Sequence, residues 1–258
     1  MSDLLMRDTF PLGAEVLKQI DETVEHVARQ QLVGRRIVTL VGPLGAGAAA
    51  IPITRLAAGQ EIRVGERDLL PFKTLYQDFI LSWEELAAAQ QSALPIDLSP
   101  VAEATARLAR QEDELILDGL RGARKVQTSP LGEWEKSGGA FAAVAAGLEK
   151  LISAGVYGPY ALVLSPSLYS QTQRVMADTG LLEISQIREM LGGEMYFSPA
   201  IKAKEAFLVA NAPYNMDLVV AQDMITAYTA SVGLDHSFRL IEKLVLRVKR
   251  PGAICILK

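Results

Sequence analysis

The sequence contains two histidines, and a histidine is the usual general base of a nucleophilic active site. His26 follows Glu25 within a helical pattern, and His236 follows Asp235 in the turn-like run VGLDH. Neither histidine stands in a recognisable catalytic setting. We therefore interpret both as surface or capping residues, and we predict that the chain has no catalytic residues and is not an enzyme.

Adjacent carboxylates occur at Glu84 and Glu85, and again at Glu112, Asp113 and Glu114. Paired carboxylates can do acid/base work or hold a cation, but no histidine or cysteine adjoins these at ligand spacing. The charge run RQEDE, which contains the second group, is therefore predicted to be a solvated or interface-forming helix face. We predict no metal site.

The glycine-rich run VGPLGAGAAA follows a strand-like segment, which is where a phosphate-binding loop would stand. The run lacks the lysine and the serine or threonine of such a loop, and its glycines do not have dinucleotide-binding spacing. The single cysteine, Cys255, has no partner for an internal disulfide or a metal site, so a small buried side chain is expected. These motifs require no cofactor.

Composition excludes further classes of partner. The 258 residues are 50% apolar, which allows a substantial core, and they carry a formal net charge of -4. No run of lysine or arginine exceeds two residues, so we expect no nucleic-acid partner. No segment approaches the roughly 18 apolar residues of a membrane span, and no charged leader precedes an apolar stretch. We therefore expect a cytoplasmic protein without membrane contact.

The sequence pattern of the N-terminal part changes from helical to extended after the first predicted helix. Apolar residues at spacings of three and four predict an amphipathic helix from Ala14 to Leu32. The run RRIVTLVGP after Gly34 is rich in β-branched residues and predicts a strand. From Gly42 to about Phe72 the chain has five glycines, three prolines and no helical period. So little core-forming pattern indicates either a functional loop or a segment that packs against another chain.

The rest of the chain interleaves helical and strand patterns. A long helix is predicted from Ser99, a favourable N-cap followed by Pro100, to about Leu117. Two further helices, one ending at Gly155 and one at the glycine pair 192–193, flank the buried strand YALVLSP. The C-terminal part is rich in strands. This interleaving favours the α+β class.

Several separated stretches stand in a specific order and spacing over nearly the whole chain. They are LLMRDTFPLG, QLVGRRIVTLVGPLG, FILSWEEL, IDLSPVAEATARLARQEDELILDGL, AGVYGPYALVLSPSLY, LGGEMYFSPAI and VVAQDMITAY. Together they resemble the encapsulins, the shell proteins of bacterial and archaeal nanocompartments. The resemblance implies the tailed-phage major capsid protein fold, known as the Hong Kong 97-type fold.

The resemblance also implies a division of the chain into five parts. Residues 1–43 form the lumenal helix and the first strand of the peripheral domain, and residues 44–72 form an extended loop that reaches over a neighbouring subunit. Residues 73–131 are the peripheral domain with its spine helix, and residues 132–217 are the axial domain. Residues 218–258 are C-terminal strands that return to the peripheral domain and the base of the extended loop.

In encapsulins, the first helix and the strand after it form a lumenal groove that binds the C-terminal targeting peptide of a cargo enzyme. The resemblance assigns this role to Ile20, Val24, Arg35, Ile37 and Thr39. Thr39 stands where relatives often carry an aspartate, so the loss of that charge implies a somewhat different cargo tag.

Two further sites are implied by position alone. The segment MADTGLLE falls where the family has its five-fold pore loop, which makes Asp178, Thr179, Gly180 and Leu181 the candidate pore residues. Trp83 coincides with a tryptophan on which some members stack a flavin, so flavin is the one cofactor to consider. Core or interface packing is the commoner use of a tryptophan.

The implied function is structural. About 60 copies of the chain would close into an icosahedral shell around a cargo such as a ferritin-like iron-storage protein or a dye-decolourising peroxidase, both linked to oxidative stress. A prophage capsid protein that packages DNA is the alternative with the same fold, and the net negative charge counts against it. A bacteriocin or protease is the alternative from another class, and the poverty of nucleophile–base pairs counts against that.

Overall fold

The computed structural model describes residues 3–11, 13–57, 63–91, 95–177 and 179–258. The helices are α1 (Ala14–Gln31), α2 (Gly34–Ile37), α3 (Trp83–Gln91), α4 (Ser99–Gly122), α5 (Gly139–Ser153), α6 (Pro166–Gln171) and α7 (Glu183–Leu191). The strands are β1 (Thr39–Val41), β2 (Ala50–Ala57), β3 (Arg63–Pro71), β4 (Lys73–Leu81), β5 (Gln127–Ser129), β6 (Tyr160–Leu164), β7 (Glu194–Phe197), β8 (Ala206–Ala210), β9 (Met216–Val232), β10 (Asp235–Val248) and β11 (Ile254–Leu257). Short 3₁₀ turns cover Asp3–Leu5, Arg7–Thr9 and Pro251–Ala253.

The first sheet is built on a long antiparallel hairpin of β9 and β10, in the strand order β1-β9-β10-β4. The side chains of β10 alternate between buried and half-exposed because one face of the sheet packs against helices. Helices α1 and α4 lie on that face, and their core contacts include the fully buried side chains of Ile20, Leu108 and Phe238. The first helix ends at Gln31, one residue before the predicted end.

The second sheet has the order β5-β11-β8-β6-β7, with α5, α6 and α7 packed around it. Its central strand β8 is buried along its whole length, which explains the continuous apolar run AFLVA. The last turns of α4 contribute Ile116, Leu117 and Leu120 to the core of this sheet, whereas the first turns belong to the first core. The long helix therefore joins the two halves of the molecule.

The predicted return of the C-terminus to the peripheral domain is wrong for its last strand. β11 pairs antiparallel with β8 and parallel with β5, so it lies inside the second sheet. Its four side chains are all buried there, which explains why Cys255 is buried as predicted. Strands β9 and β10, which precede it, do form the first sheet.

The segment after β1 is an excursion from the first sheet. β2 and β3 pair with each other as a separate two-stranded ribbon. At its base, Ile51 packs against Val219 and Val245. On the other face of the ribbon, Leu69 is 70% exposed and stands opposite the exposed Pro52. The described residues of the ribbon therefore present apolar surface that their own chain does not cover.

Three local predictions are wrong in detail. The predicted strand after Gly34 begins with the helical turn α2, and extended backbone starts only at Thr39. Ser99 is the first residue of α4 and not its N-cap; instead, Asp97 accepts hydrogen bonds from the backbone N–H and the hydroxyl of Ser99. The helix continues to Gly122, five residues beyond the predicted end.

No helix within the described ranges is long and apolar enough to cross a bilayer.

Candidate functional site

A groove of about 660 Å³ runs between α1 and the middle of β9. Apolar side chains line its walls, and charged side chains lie at its floor and rim. The lining residues are Arg7, Asp21, Val24, Glu25, Ala28, Arg29, Leu32, Arg35, Arg36, Asp223, Met224, Ile225 and Thr226. An apolar strip with a charged rim is suited to bind a short peptide segment.

The structure brings together only part of the predicted cargo-binding set. Val24 and Arg35 line the groove. Ile20 and Ile37 are fully buried, in the first and second core respectively, so neither presents a surface to a ligand in this structure. Thr39 is half-buried on β1 and is not one of the groove-lining residues. The expected roles of Ile20 and Ile37 are therefore corrected to core packing.

Arg35 forms the charged floor of the groove. Its Nε and Nη2 donate to Glu112 of α4 at 2.8 and 2.7 Å, and its Nη1 donates to Asp223 of β9 at 2.8 Å. A longer bond of 3.3 Å joins Nη2 to Glu242 of β10. Burial alone would lower the pKa of Arg35, but its bonds and attraction to Glu112 and Asp223 outweigh this and raise it. One guanidinium thus ties α2 to α4 and to the hairpin.

The cluster beneath Arg35 contains two carboxyl groups, from Glu112 and Glu242, for one guanidinium. Glu112 and Glu242 are both fully buried, and Oε1 of Glu242 has no hydrogen-bond partner among the described residues. Burial, followed by the charge of Glu112, raises the pKa of Glu242 to about 10, so this carboxyl is protonated at neutral pH. The cluster therefore places a neutral acid beside the guanidinium of Arg35.

Asp113, the neighbour of Glu112, anchors the turn between α1 and α2. Its Oδ1 accepts from the backbone N–H groups of Val33 and Gly34 at 3.1 and 2.7 Å, and its Oδ2 accepts from the Ser198 hydroxyl at 2.8 Å. A Cβ on Gly34 would lie 2.4 Å from a terminal methyl of Ile116, so the glycine permits this close approach. Burial raises the pKa of Asp113 to about 6 despite these bonds.

The prediction of a solvated face for the acidic run on α4 is therefore wrong for two of its three carboxylates. Glu112 and Asp113 are buried, and only Glu114 keeps the expected exposed position, where it pairs with Arg110 at 3.0 Å. Two adjacent helical positions can both be buried when a helix is covered on two sides, here by α2 and by the first sheet.

The remaining charges of the groove lie at its rim. Arg7 pairs with Asp21 through both of its terminal nitrogens, and Arg29 pairs with Glu25 one turn earlier on α1. Arg36 donates to the backbone carbonyl of Arg29 at 2.8 Å, near the C-terminal end of α1. Arginine at the end of a helix satisfies carbonyls that have no partner within the helix. The rim is therefore held mainly by exposed, adjustable side chains.

The two histidines have different surroundings. His26 is exposed and contacts Gln30 at 3.0 Å, as expected for a surface residue. His236 is 8% exposed and packs edge-on against Phe10 beside Tyr228, so the prediction of a surface or capping residue is wrong for it. Desolvation by burial lowers the pKa of His236. Within the described ranges, no group of three histidine, cysteine, aspartate or glutamate side chains could hold a metal ion.

The other predicted sites lie away from the groove. Thr179, Gly180 and Leu181 form an exposed turn between α6 and α7, closed by a bond from Met176 N–H to the Leu181 carbonyl at 2.8 Å. Gly180 has a positive φ of 68°, which favours glycine at this position. Asp178, the fourth candidate, lies outside the described residues.

Trp83, the candidate flavin-stacking residue, begins α3 and is 45% exposed. Its backbone N–H donates to Asp235 at the turn of the β9–β10 hairpin. A half-exposed indole can stack on a flat ring. Flavin binding at this position stays a prediction.

Comparison with known proteins finds a family model and relatives that match most or all of the chain. The family model described as "Encapsulating protein for peroxidase" matches residues 1–245. The type 1 encapsulin shell protein EncA of Myxococcus xanthus is 40% identical, over 100% of this chain and 97% of its own length.

Solved structures support the fold. The virus-like particle of Pyrococcus furiosus is similar with a TM-score of 0.82 at 20% identity, over 95% of this chain and all of the other. The capsid protein of Myoviridae phage XM1 is similar with a TM-score of 0.63 at 15% identity, over 88% of this chain and 91% of the other. The predicted α+β fold of the tailed-phage capsid type is therefore confirmed.

Replacing Asp113 with Ala should destabilise the protein by roughly 2–5 kcal/mol, because the N–H groups of Val33 and Gly34 would lose their buried acceptor. Asp113→Asn is the matched control, since its amide oxygen can accept both bonds and its NH₂ group can donate to Ser198. The midpoint of unfolding in guanidinium chloride measures both effects. Equal losses for Ala and Asn would contradict the anchoring role.

Replacing Glu242 with Gln should stabilise the protein relative to wild type by an amount that grows with pH. The pKa of Glu242 is raised from 4.5 in an unfolded chain to about 10, so its favourable contribution is complete below 4.5 and is lost as pH rises towards 10. Glutamine does not titrate. Unfolding midpoints of both proteins should diverge between about pH 6 and about pH 9, by at most ~1.4 kcal/mol per pH unit. A difference independent of pH would refute the buried neutral acid.

Proposed function

The chain belongs to the encapsulin family of shell proteins, and on that premise we propose that about 60 copies assemble into a closed icosahedral shell around a cargo protein. The observation that carries the proposal is the match of nearly the whole chain to a shell protein at 40% identity. No separate catalytic role is needed, because a shell acts by enclosing its contents.

The ribbon of β2 and β3 supports assembly through contacts between copies. Among the described residues of the ribbon, those at its base pack on their own chain, through Ile51 and its neighbours, while Leu69 and Pro52 leave apolar surface exposed on the other face. Exposed apolar surface of this kind is typical of subunit contacts. We propose that this ribbon lies on the adjacent subunit of the shell.

The groove between α1 and β9 is the proposed cargo site. Its apolar strip and charged rim can take a short targeting peptide, and many copies of a weak site in one shell strengthen the total binding. We propose that Val24 and Arg35 bind the peptide, as inferred from the family, together with Ala28, Leu32 and Met224, which line the same groove.

The cargo and the openings of the shell are proposed by analogy with the family. A dye-decolourising peroxidase or a ferritin-like iron-storage protein is the proposed cargo, and the description of the family names a peroxidase. The exposed turn of Thr179, Gly180 and Leu181 is the proposed pore-lining segment. Flavin stacking on Trp83 is a separate proposal, on which the shell does not depend.

Replacing Leu69 with Asp tests the shell role of the ribbon. The side chain is 70% exposed, so the subunit should keep its fold, but a charge in a subunit contact should abolish closed particles. Leu69→Met is the matched control and should assemble normally. Light scattering coupled to size-exclusion chromatography reports assembly, and circular dichroism reports the fold. Closed particles from the Asp variant in normal yield would overturn the proposed contact.

A further inference from the structure

One edge of β9 is only partly paired. β10 pairs along the other edge, whereas on this side β1 pairs with Asp217–Val219 alone. The chain after β1 adds two backbone bonds, from Leu44 N–H to the Val220 carbonyl and from Gly45 N–H to the Ala221 carbonyl. Beyond Ala221, no strand of the described ranges pairs with this edge. The open stretch of β9 is the wall of the groove.

Side chains form hydrogen bonds with backbone groups along that open stretch of β9. The Thr226 carbonyl accepts from Nη1 of Arg7 at 3.0 Å, and the Met224 N–H donates to Oδ1 of Asp223 at 2.9 Å. In a sheet, such groups are normally bonded to a neighbouring strand. Arg7 also pairs with Asp21, and Asp223 also accepts from Arg35, so each side chain keeps a partner if it releases β9. The edge can therefore exchange these bonds for those of an incoming chain.

The form of the ligand follows from this edge. A helix satisfies its own backbone groups and would leave those of β9 unused, whereas an extended segment can bond to them at every second residue. Such a segment would continue the line of Gly45 along β9. Its alternate side chains would then face the apolar strip formed by Val24, Ala28 and Met224.

We propose that the cargo segment binds as an added β-strand on the β9 edge between Asp223 and Thr226, with apolar side chains at alternate positions against α1. This inference rests on the proposed cargo groove and adds the conformation of the ligand and the source of its affinity. Backbone bonds supply affinity that is largely independent of sequence, and the apolar strip selects every second side chain.

Backbone methylation of the ligand tests the proposal. The probe is a synthetic peptide copied from the C-terminal residues of the protein that mass spectrometry identifies inside natively purified shells. Binding to cargo-free shells is measured by fluorescence anisotropy, and single N-methyl groups are placed at successive positions. Within the bound stretch, methylation at every second position should weaken binding at least about tenfold, and methylation between those positions by less than about threefold.

Controls separate this mode of binding from the groove itself. Met224→Gln should weaken the unmodified peptide, and Ile152→Gln, an exposed substitution on α5, should not. If Met224→Gln weakens binding but the methyl series shows no alternation, the added strand is wrong and the groove stands. If neither substitution changes binding, or the peptide does not bind, the groove is wrong. If the Met224 amide, which bonds to the side chain of Asp223 and not to β10, is already strongly protected from hydrogen exchange in cargo-free shells, another copy covers the edge and the proposal fails.

Discussion

Two adjacent carboxylates in the middle of α4 hold the parts of this protein together. Asp113 bonds to the turn before α2 and to Ser198 beside the second sheet. Glu112 bonds to Arg35, which in turn bonds to both strands of the long hairpin. Because both acids are buried, removing either would leave donors without partners inside the molecule, which is more costly than losing a surface ion pair.

The groove is a consequence of this anchoring. Arg35 is fixed from below by Glu112, so the floor has one position, while the rim consists of exposed side chains such as Asp21 and Glu25. In the proposed binding mode, the fixed floor sets where the cargo segment lies, and the adjustable rim lets the backbone of that segment reach β9. Preorganisation of this kind reduces the ordering that binding requires. Affinity for a short segment then depends on groups that the fold already holds in place.

Much of the fold could be predicted from the sequence because it rests on periodic patterns. The helices α1, α5 and α7, the strand β6 and the hairpin all follow apolar spacing, and the collinear stretches indicated the capsid fold. The same spacing could have shown that Ile20 is a core residue, since it lies on the apolar stripe of α1 between Leu17 and Val24. The resemblance to the family predicted where the groove lies. The burial of Ile20 and Ile37 removed two residues from its predicted lining.

What the sequence did not reveal depends on contacts between distant residues. A charge run normally marks a solvated face, and nothing local shows that Glu112 and Asp113 meet α2 about 80 positions away. The burial of Glu242 could have been predicted, because this residue lies on the same face of β10 as the buried Leu240 and Leu244. The open edge of β9 could not be predicted either, because it depends on which strands pair in the folded sheet and no sequence motif marks it.

The central claim is that this chain builds a closed container, and the mass of the particle formed by the purified wild-type chain tests it most directly. Charge-detection mass spectrometry at physiological salt should find one closed species of about 60 copies, which is the number for one chain per icosahedral position. Dispersed monomers, or a ladder of small open oligomers, would contradict the account.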